Sequence, residues 1–449
     1  MASTRLTRTN GTPTDTKKMT FSTWFKIGTS TNQQSLIASV EAASGGSYTD
    51  LKIMNASTHK NVFRFECKTT EGNYIDLKFN RSLRDPSAWM HLVIAVDTTQ
   101  TTASNRTKIY INGVQETSFA TATYPVQNHN LDFSKSGIVQ QIGAYENTVH
   151  FDGSMAHVHF IDGLQYQASD FGETDSTSGI WKAKTSPSVT YGNNGFFLKF
   201  ENSGAMGTDS SGESNTFAVG GGTLTQNVDT PDNNFATINP LYYSSTGLLN
   251  GNITATSTGN SHKNYHSTIA VDSGKWYAEM KVNSWNGSNN IMFGIVADSW
   301  NNINSTSPGD NFAGNASTGI GYGSNGQKII ANSASSYGNS FTTGDILGIA
   351  LDLTNNKLYF SKNGTYQNSG VPTSGSTGTG AIDVPSGFTR LITFSHYGSQ
   401  SCSMNFGNGY FGTTAVASAN ADGNGVGKME YAVPTGYYTL NTKNIKEFG

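Results

Sequence analysis

The chain has 449 residues and a formal net charge of −3, too long for one ordinary core and without the Lys/Arg clustering of a nucleic-acid-binding surface. Charged residues are only 13%, and Thr, Ser, Asn and 50 Gly separate short runs of Tyr, Phe, Ile and Val; this is the palette of strands and tight turns, not of helices or disorder. No apolar run is long enough to span a bilayer and the start lacks a signal-peptide pattern, so membrane insertion is not expected and synthesis in a cytoplasm is.

Taken in order, residues 1–16 are polar and Thr-rich and read as an arm. Residues 19–27, MTFSTWFKI, form the first strand-like run, with Phe21, Thr23, Phe25 and Ile27 on one face and Trp24 on the other. Further strand-like runs fall at 35–40, 50–54, 62–67, 74–79, 89–97, 108–111, 139–142 and 154–161, separated by Gly, Asn and Ser turns. A Gly/Ser/Thr/Asn-rich stretch at 202–237 reads as a connector. A second series follows at 267–271, 275–282, 290–297, 318–322, 390–395 and 401–406. Its centre is DILGIALDL at 345–353 followed by KLYFSKNG at 357–364. There Leu347, Ile349, Leu351, Leu358 and Phe360 alternate as core residues, and Asn363-Gly364 supplies a tight hairpin turn. KIYING at 108–113, after LVIAVD at 92–97, is a weaker echo of the same pattern.

The expected fold is therefore all-β. Two antiparallel β-sandwich (jelly-roll) domains are joined by a Gly/Ser/Thr/Asn-rich connector. The divisions are an arm at 1–18, a first sandwich at 19–201, a connector at 202–239, a second sandwich at 240–412 and a tail at 413–449. Cys67 and Cys402 fall in different domains and are expected as free, buried thiols. Arm and tail are poor in core-forming residues, which suits attachment to other chains.

Residues from about 19 to 163 resemble a laminin-G-like, concanavalin-A-like jelly roll, through TFSTWFKI, WMHLVIAVD, KIYINGVQ, IGA and FDGSMAHVHFIDGLQ in that order. Residues from about 242 to 409 are similar to a SPRY domain, through GKWYAEMKV, NIMFGIVAD, GIGYGSNGQKI, YGNSFTTGDILGIALDL, KLYFSKNG and MNFGNGYFG. The combination also resembles virion proteins of tailed phages, particularly marine ones, in its MASTRLTRT start, its LKFENSGAMGTDSSG linker at 198–212 and its PTGYYTLNTKNI ending. That resemblance implies a fibre, spike or head-surface protein located in the virion. Its partners would be other virion proteins, further copies of itself and a host-surface glycan or protein. The alternative is a carbohydrate-binding lectin or a glycan-active enzyme on a concanavalin-A-like fold.

Laminin-G-like sandwiches hold calcium through oxygen ligands at loop ends. The resemblance therefore offers Asp97, Asp152 and Asp162, at strand ends, as calcium ligands; each also suits a turn, and no cofactor is otherwise implied. His157 and His159 alternate on one strand in a zinc-like spacing, with His150 or Asp152 as a third ligand; the commoner outcome for such a pair is a half-buried sheet face. Glu66 and Glu279 read as lone strand acids, and no paired-carboxylate, nucleophile-elbow or phosphate-loop pattern accompanies them, so no enzyme is expected. Aromatic and amide side chains in the SPRY-like loops are the candidates for contact with sugar rings or peptide: Trp285, Asn286, Asn289, Trp300, Tyr322 and Tyr337.

Overall fold

Alternation decides which side of each strand meets the interior. In the computed structural model, which describes residues 4–28, 33–41, 46–56, 59–69, 72–242, 247–258, 262–287, 291–299 and 312–449, Phe63, Phe65 and Cys67 enter a core while Arg64 and Glu66 take the opposite face of the same strand. The chain divides into two units, Met1–Gln226 and Asn227–Gly449. It is mostly β, in antiparallel sheets with little helix.

The first unit contains β1 (Arg5–Thr9), β2 (Lys18–Ile27), β3 (Gln34–Val40), β4 (Tyr48–Ala56), β5 (His59–Thr69), β6 (Gly72–Phe79), β7 (Met90–Asp97), β8 (Thr107–Ile111), β9 (Val114–Glu116), β10 (Phe119–Thr123), β11 (Val139–Ile142), β12 (Ala144–Tyr145), β13 (Val149–His150), β14 (Gly153–Asp162), β15 (Gly172–Thr174), β16 (Trp181–Ala183), β17 (Phe196–Leu198) and β18 (Ala218–Gly221). Eight strands form one sheet in the order β10-β6-β5-β4-β3-β11-β1-β18, and six form the other in the order β17-β14-β2-β7-β8-β9. Met19, Phe21, Phe25 and Ile27 of β2 meet Leu51, Ile53, Phe63, Phe65 and Leu77 of the larger sheet between the two layers.

The outer face of the six-stranded sheet is roofed by residues 164–197. Tyr166, Phe171, Trp181, Tyr191 and Phe197 pack there on Val93, Ala95 and Tyr110. Trp181 fits because position 172 is glycine: a Cβ there would lie 2.4 Å from the indole ring.

In the second unit one sheet runs, in order of pairing, through Leu248–Leu249, Thr254–Ser257, Gln400–Asn405, Lys275–Ser284, Ile346–Asp352, Lys357–Lys362 and Thr365–Tyr366. The other runs through His262–Val271, Arg390–Tyr397, Met292–Ala297, Ile320–Gly323, Gln327–Ile330 and Ser333–Ser336. Leu347, Ile349, Leu351, Leu358 and Phe360 are all fully buried, as their alternation required. Asn363 and Gly364 both take positive φ, and the chain reverses into the Thr365–Tyr366 strand. Tyr437 and Met429 pack with Tyr277 and Tyr359 on the outer face of the first of these sheets.

The segments expected as arm, connector and tail are built into the two units. Residues 5–9 of the expected arm form β1, paired with both β11 and β18, with Leu6 in the core. The division between units falls inside the expected connector. Phe217 belongs to the first core, and Phe235, Ala236 and Ile238 are buried in the second unit. Composition hid this because a few large residues carry the burial. The tail ends in a strand, Tyr438–Thr439, parallel to Lys275–Ser284, and a helix, Thr442–Phe448, whose N-cap Asn441 accepts from the Asn444 amide. The loop around 415–427 is fastened by Asp422. Its carboxylate accepts from the amides of Asn424, Val426 and Thr439, from the Thr439 hydroxyl and from the Asn444 amide group. Cys67 and Cys402 are both buried free thiols.

Phe360 has no exposed surface and packs against Phe293, Tyr322 and Tyr337. Phe360→Ala is expected to cost the second unit about 3–5 kcal/mol. A chemical denaturation curve followed by probes in each unit should show only the second unit's transition move.

Candidate functional site

The residues expected to gather in the SPRY-like loops do not all lie there. Asn286 is exposed and Trp285 half-buried just after the Lys275–Ser284 strand. The Trp285 amide donates to the Thr343 hydroxyl, and Asn286 accepts from Gln400. Asn289 and Trp300 lie outside the described residues. Tyr322 and Tyr337 are core residues instead of loop contacts. They meet edge to face at 5.5 Å, and Tyr337 accepts the Phe360 amide while Tyr322 donates to the Asn339 carbonyl. Two aromatic rings between sheets bury more apolar area than they would in a loop.

The three aspartates proposed as calcium ligands do not converge. Asp97 pairs with Lys18 and Asp162 with Met19 at one end of β2, whereas Gly153, next to Asp152, pairs with Ile27 at the other. Eight strand residues separate these ends, on the order of 25 Å. Asp97 is satisfied by Thr99 and Gln100. Asp162 accepts the amides of Thr14 and Asn194, while burial raises its pKa. His157 sits at a bulge with φ +48°, and buried His159 bonds Tyr191 at 2.9 Å. Among the described residues no set of three His, Cys, Asp or Glu converges as metal ligands.

A different constellation emerges on the outer face of the eight-stranded sheet, over β4, β5 and β6. Register places Asp50 opposite Glu66, and Glu66 opposite Asp76. The next row along the strands holds Lys52, Arg64 and Lys78, likewise opposite one another. A row of acids thus lies against a row of bases. Lys52 Nζ is 2.5 Å from Glu66 and 3.6 Å from Asp50. Arg64 grips Asp76 with two bonds of 2.7 Å and reaches Glu66 at 2.9 Å. Ser35 donates to Asp50 at 2.6 Å.

Burial pushes Asp50 up to about 6, against the pull of Lys52. Burial also works to raise Glu66, but Lys52 and Arg64 outweigh it and leave its pKa below the ordinary value. Tyr48 and Tyr145 stand beside the rows, edge to face at 5.3 Å, and burial followed by Glu66 raises Tyr48. Buried ion pairs contribute little net stability compared with apolar packing. Asp50, Lys52, Glu66 and Asp76 are buried, so the groups that a hydroxyl-rich ligand such as a sugar chain could reach are the partly exposed Arg64, Lys78, Tyr48 and Tyr145.

The sequence carried the signal for each strand separately, as Tyr-x-Asp-x-Lys at 48–52 and Arg-x-Glu at 64–66. Only the register shows that Glu66 is not a lone acid.

Two other buried sites hold groups of catalytic type in hydrogen-bonded arrangements. Ser22 and His91 lie 2.8 Å apart, but the Trp181 indole N–H donates to His91 Nδ1 at 3.0 Å. Burial holds His91 neutral, its pKa pushed down to about 3, so the ring proton sits on Nε2 and points at Ser22. His91 therefore cannot take the serine proton. Glu279 in the second unit is fully buried and raised to about 7 by desolvation. It accepts the amides of Glu430 and Tyr431, the Tyr277 hydroxyl and the Asn405 amide group, and so ties the 428–431 segment to the sheet.

Residues 2–165 match the family model described as the concanavalin A-like lectin/glucanases superfamily, and residues 275–409 match that of the SPRY domain. Among solved structures the chain is similar to a human SPRY domain, at 15% identity over 35% of this chain and 94% of that one, with a TM-score of 0.28. It is also similar to the SPRY domain of human HERC1, at 16% identity over 34% and 87%, TM-score 0.26, and to stonustoxin, at 14% identity over 38% and 27%, TM-score 0.29. No curated protein matches the chain. A concanavalin A-like domain followed by a SPRY domain is what the chain carries, and domains of these kinds suit a binding or adhesive role.

The raised Asp50 makes a pH prediction with a definite sign. Its contribution to stability is present below the unfolded value of about 4 and is lost as pH rises towards 6. Asp50→Asn should remove that loss. Relative to the native chain, the variant's unfolding free energy should climb between pH 4 and pH 7 by on the order of 2 kcal/mol, read from denaturant titrations at each pH.

Proposed function

We propose that this chain is a structural and adhesive component of a bacteriophage virion, a tail fibre, spike or head-surface protein that contacts host-surface glycan. The single observation that carries the adhesive part is the outer face of the eight-stranded sheet. There, buried acids and Lys52 lie beneath the partly exposed Arg64, Lys78, Tyr48 and Tyr145, which are the groups a ligand would touch. The virion part rests on the resemblance of the start, the 198–212 stretch and the ending to proteins of tailed phages. In this reading the chain is made in the host cytoplasm and is not an enzyme. Its partners are other virion proteins, its own copies and a glycan or protein of the host surface, with no nucleic acid and no membrane insertion. Among the described residues no helix is long and apolar enough to cross a membrane. The attachment surfaces are folded ones, since β1 and the C-terminal helix are part of their units.

A glycan-active enzyme is the second reading, favoured by Asp50 facing Glu66 with pKa values pushed in opposite directions. Lys52 within 4 Å of both carboxylates argues for a fixed floor instead of an acid and a nucleophile.

The test is binding of the full chain to arrays of bacterial surface glycans, with product analysis of bound oligosaccharides and immunodetection on purified particles. Tyr145→Ala, at a half-exposed ring, should weaken glycan binding about tenfold, equivalent to about 1.4 kcal/mol, without shifting the melting temperature of the first unit. Cleaved oligosaccharide would support the enzyme, and a chain found in lysate but on no particle would end the virion reading.

A further inference from the structure

β4 carries Asp50 and Lys52 two residues apart, so both side chains leave the same face of the sheet. Glu66 of β5 stands opposite Asp50. All three are nearly shut off from solvent: Asp50 is 1% exposed, Glu66 5% and Lys52 7%. Their contacts have a direction. Lys52 Nζ lies 2.5 Å from Glu66 Oε2 and 3.6 Å from Asp50 Oδ2. The other Asp50 oxygen, Oδ1, accepts from Ser35 Oγ at 2.6 Å. The other Glu66 oxygen, Oε1, faces Arg64 at 2.9 Å, and Arg64 is itself fixed by two bonds to Asp76. A primary amine thus has a base on one side. On the other it has a carboxyl group, one oxygen of which is held by a hydroxyl donor.

We propose that Lys52 and Asp50 condense into a side-chain amide, with Glu66 as the proton carrier and Ser35 as the donor to the retained oxygen, a cross-link that the folded chain forms by itself. Nζ of Lys52 bonds to Cγ of Asp50, and the Cγ–Oδ2 bond breaks. The Lys52 ammonium gives up two protons. Glu66 Oε2 takes them in turn and passes them to Oδ2, which leaves as water. Oδ1 stays as the amide oxygen, and the Ser35 hydroxyl meets the charge that develops on it. One ammonium and one carboxylate are consumed, and one amide and one water result. Nothing is oxidised or reduced, so no co-reactant enters. Burial raises Asp50, which keeps its carboxyl proton at a higher pH than usual and makes its carbon the better target. Glu66 stays ionised, against its own burial, through Lys52 and Arg64, which suits a base and makes it the poorer target. Amide formation is uphill in bulk water; it becomes favourable where the groups are held in contact and water is kept out. Both partners lie on one strand, so no part of the fold has to move, and the loop that closes is too short to add much stability. The bond replaces two buried charges with a neutral amide. The ion-paired arrangement is the chain before the bond forms, and the pH dependence of Asp50 belongs to that state alone.

This step goes beyond the proposed function, since no ligand, particle or partner takes part in it, and its failure would leave the glycan reading standing. The full chain is purified, held folded for a prolonged period, then denatured and digested with trypsin for peptide mass mapping. Lys26, Lys52 and Lys60 are the only trypsin sites between residues 26 and 60. An unlinked chain therefore yields peptides 27–52 and 53–60. The linked chain should yield a single peptide 27–60, lighter by one water than its sequence requires and uncut after Lys52, with fragmentation placing the loss across Asp50 and Lys52. Glu66→Gln and Lys52→Arg should give no such species while keeping the native circular dichroism spectrum. If either variant misfolds, the native chain's map decides alone. A native chain that yields only 27–52 and 53–60 would overturn the proposal. So would a water lost while trypsin still cuts after Lys52, which marks a succinimide, a bond mapped to Glu66, or a Glu66→Gln chain that links as fast as the native one.

Discussion

The structure depends on strand register. β4, β5 and β6 carry apolar side chains on one face and charges on the other, so a slip of one residue would carry Asp50, Lys52, Arg64 and Glu66 into the core. The cost of burying unpaired charges there far exceeds what any single contact on the outer face contributes. Hydrophobic patterning therefore fixes the register, and the register sets acids opposite acids and bases opposite bases. The paired rows follow from the core's demands as much as from any attraction between the charges. Lys52 and Arg64 then neutralise a row of carboxylates that could not otherwise stand in line.

In each unit a later stretch of chain covers the outside of one sheet. In the first unit Trp181 does so, wedged against Gly172 and fastened to His91. In the second, Met429 and Tyr437 lie over Tyr277 and Tyr359, with Glu279 taking the amides of the covering segment. In both, a buried polar group is matched to backbone or ring donors, which makes the position of the cover specific and not merely greasy. On the large sheet of the first unit the acids and Lys52 are buried as well, and the partly exposed Arg64, Lys78, Tyr48 and Tyr145 around them make up the candidate surface.

Much of this was legible in the chain, and the reasons for the rest are physical. The Ile346–Asp352 and Lys357–Lys362 pair was readable because alternation, strand propensity and an Asn-Gly turn agree. Tyr322 ends the strand-like run 318–322 and reads as a loop contact because Ser-Asn-Gly signals a turn directly after it. The glycines instead allow close strand packing: a Cβ at Gly321 would lie 2.2 Å from the Ala313 carbonyl. The polar start was misread as an arm because one core side chain, Leu6, suffices to seat a strand whose other contacts are backbone hydrogen bonds. The acid row was invisible because facing residues on different strands depend on loop geometry, which composition does not encode.

The place of β1 between β11 and β18 has a consequence for how the molecule is made. Arg5 pairs with Gly221 and Leu6 with Ile142. A strand near the start of the chain must therefore wait until residues beyond 220 have been synthesised before both its neighbours exist. Such long-range closure is slow, and while it is pending the β18-facing edge of β1 stays open in a growing chain. Crowded ribosomes translating the same message would place many such open edges close together. A Thr-rich, weakly apolar strand, RLTRT, is a sequence that can wait in water without sticking to its neighbours.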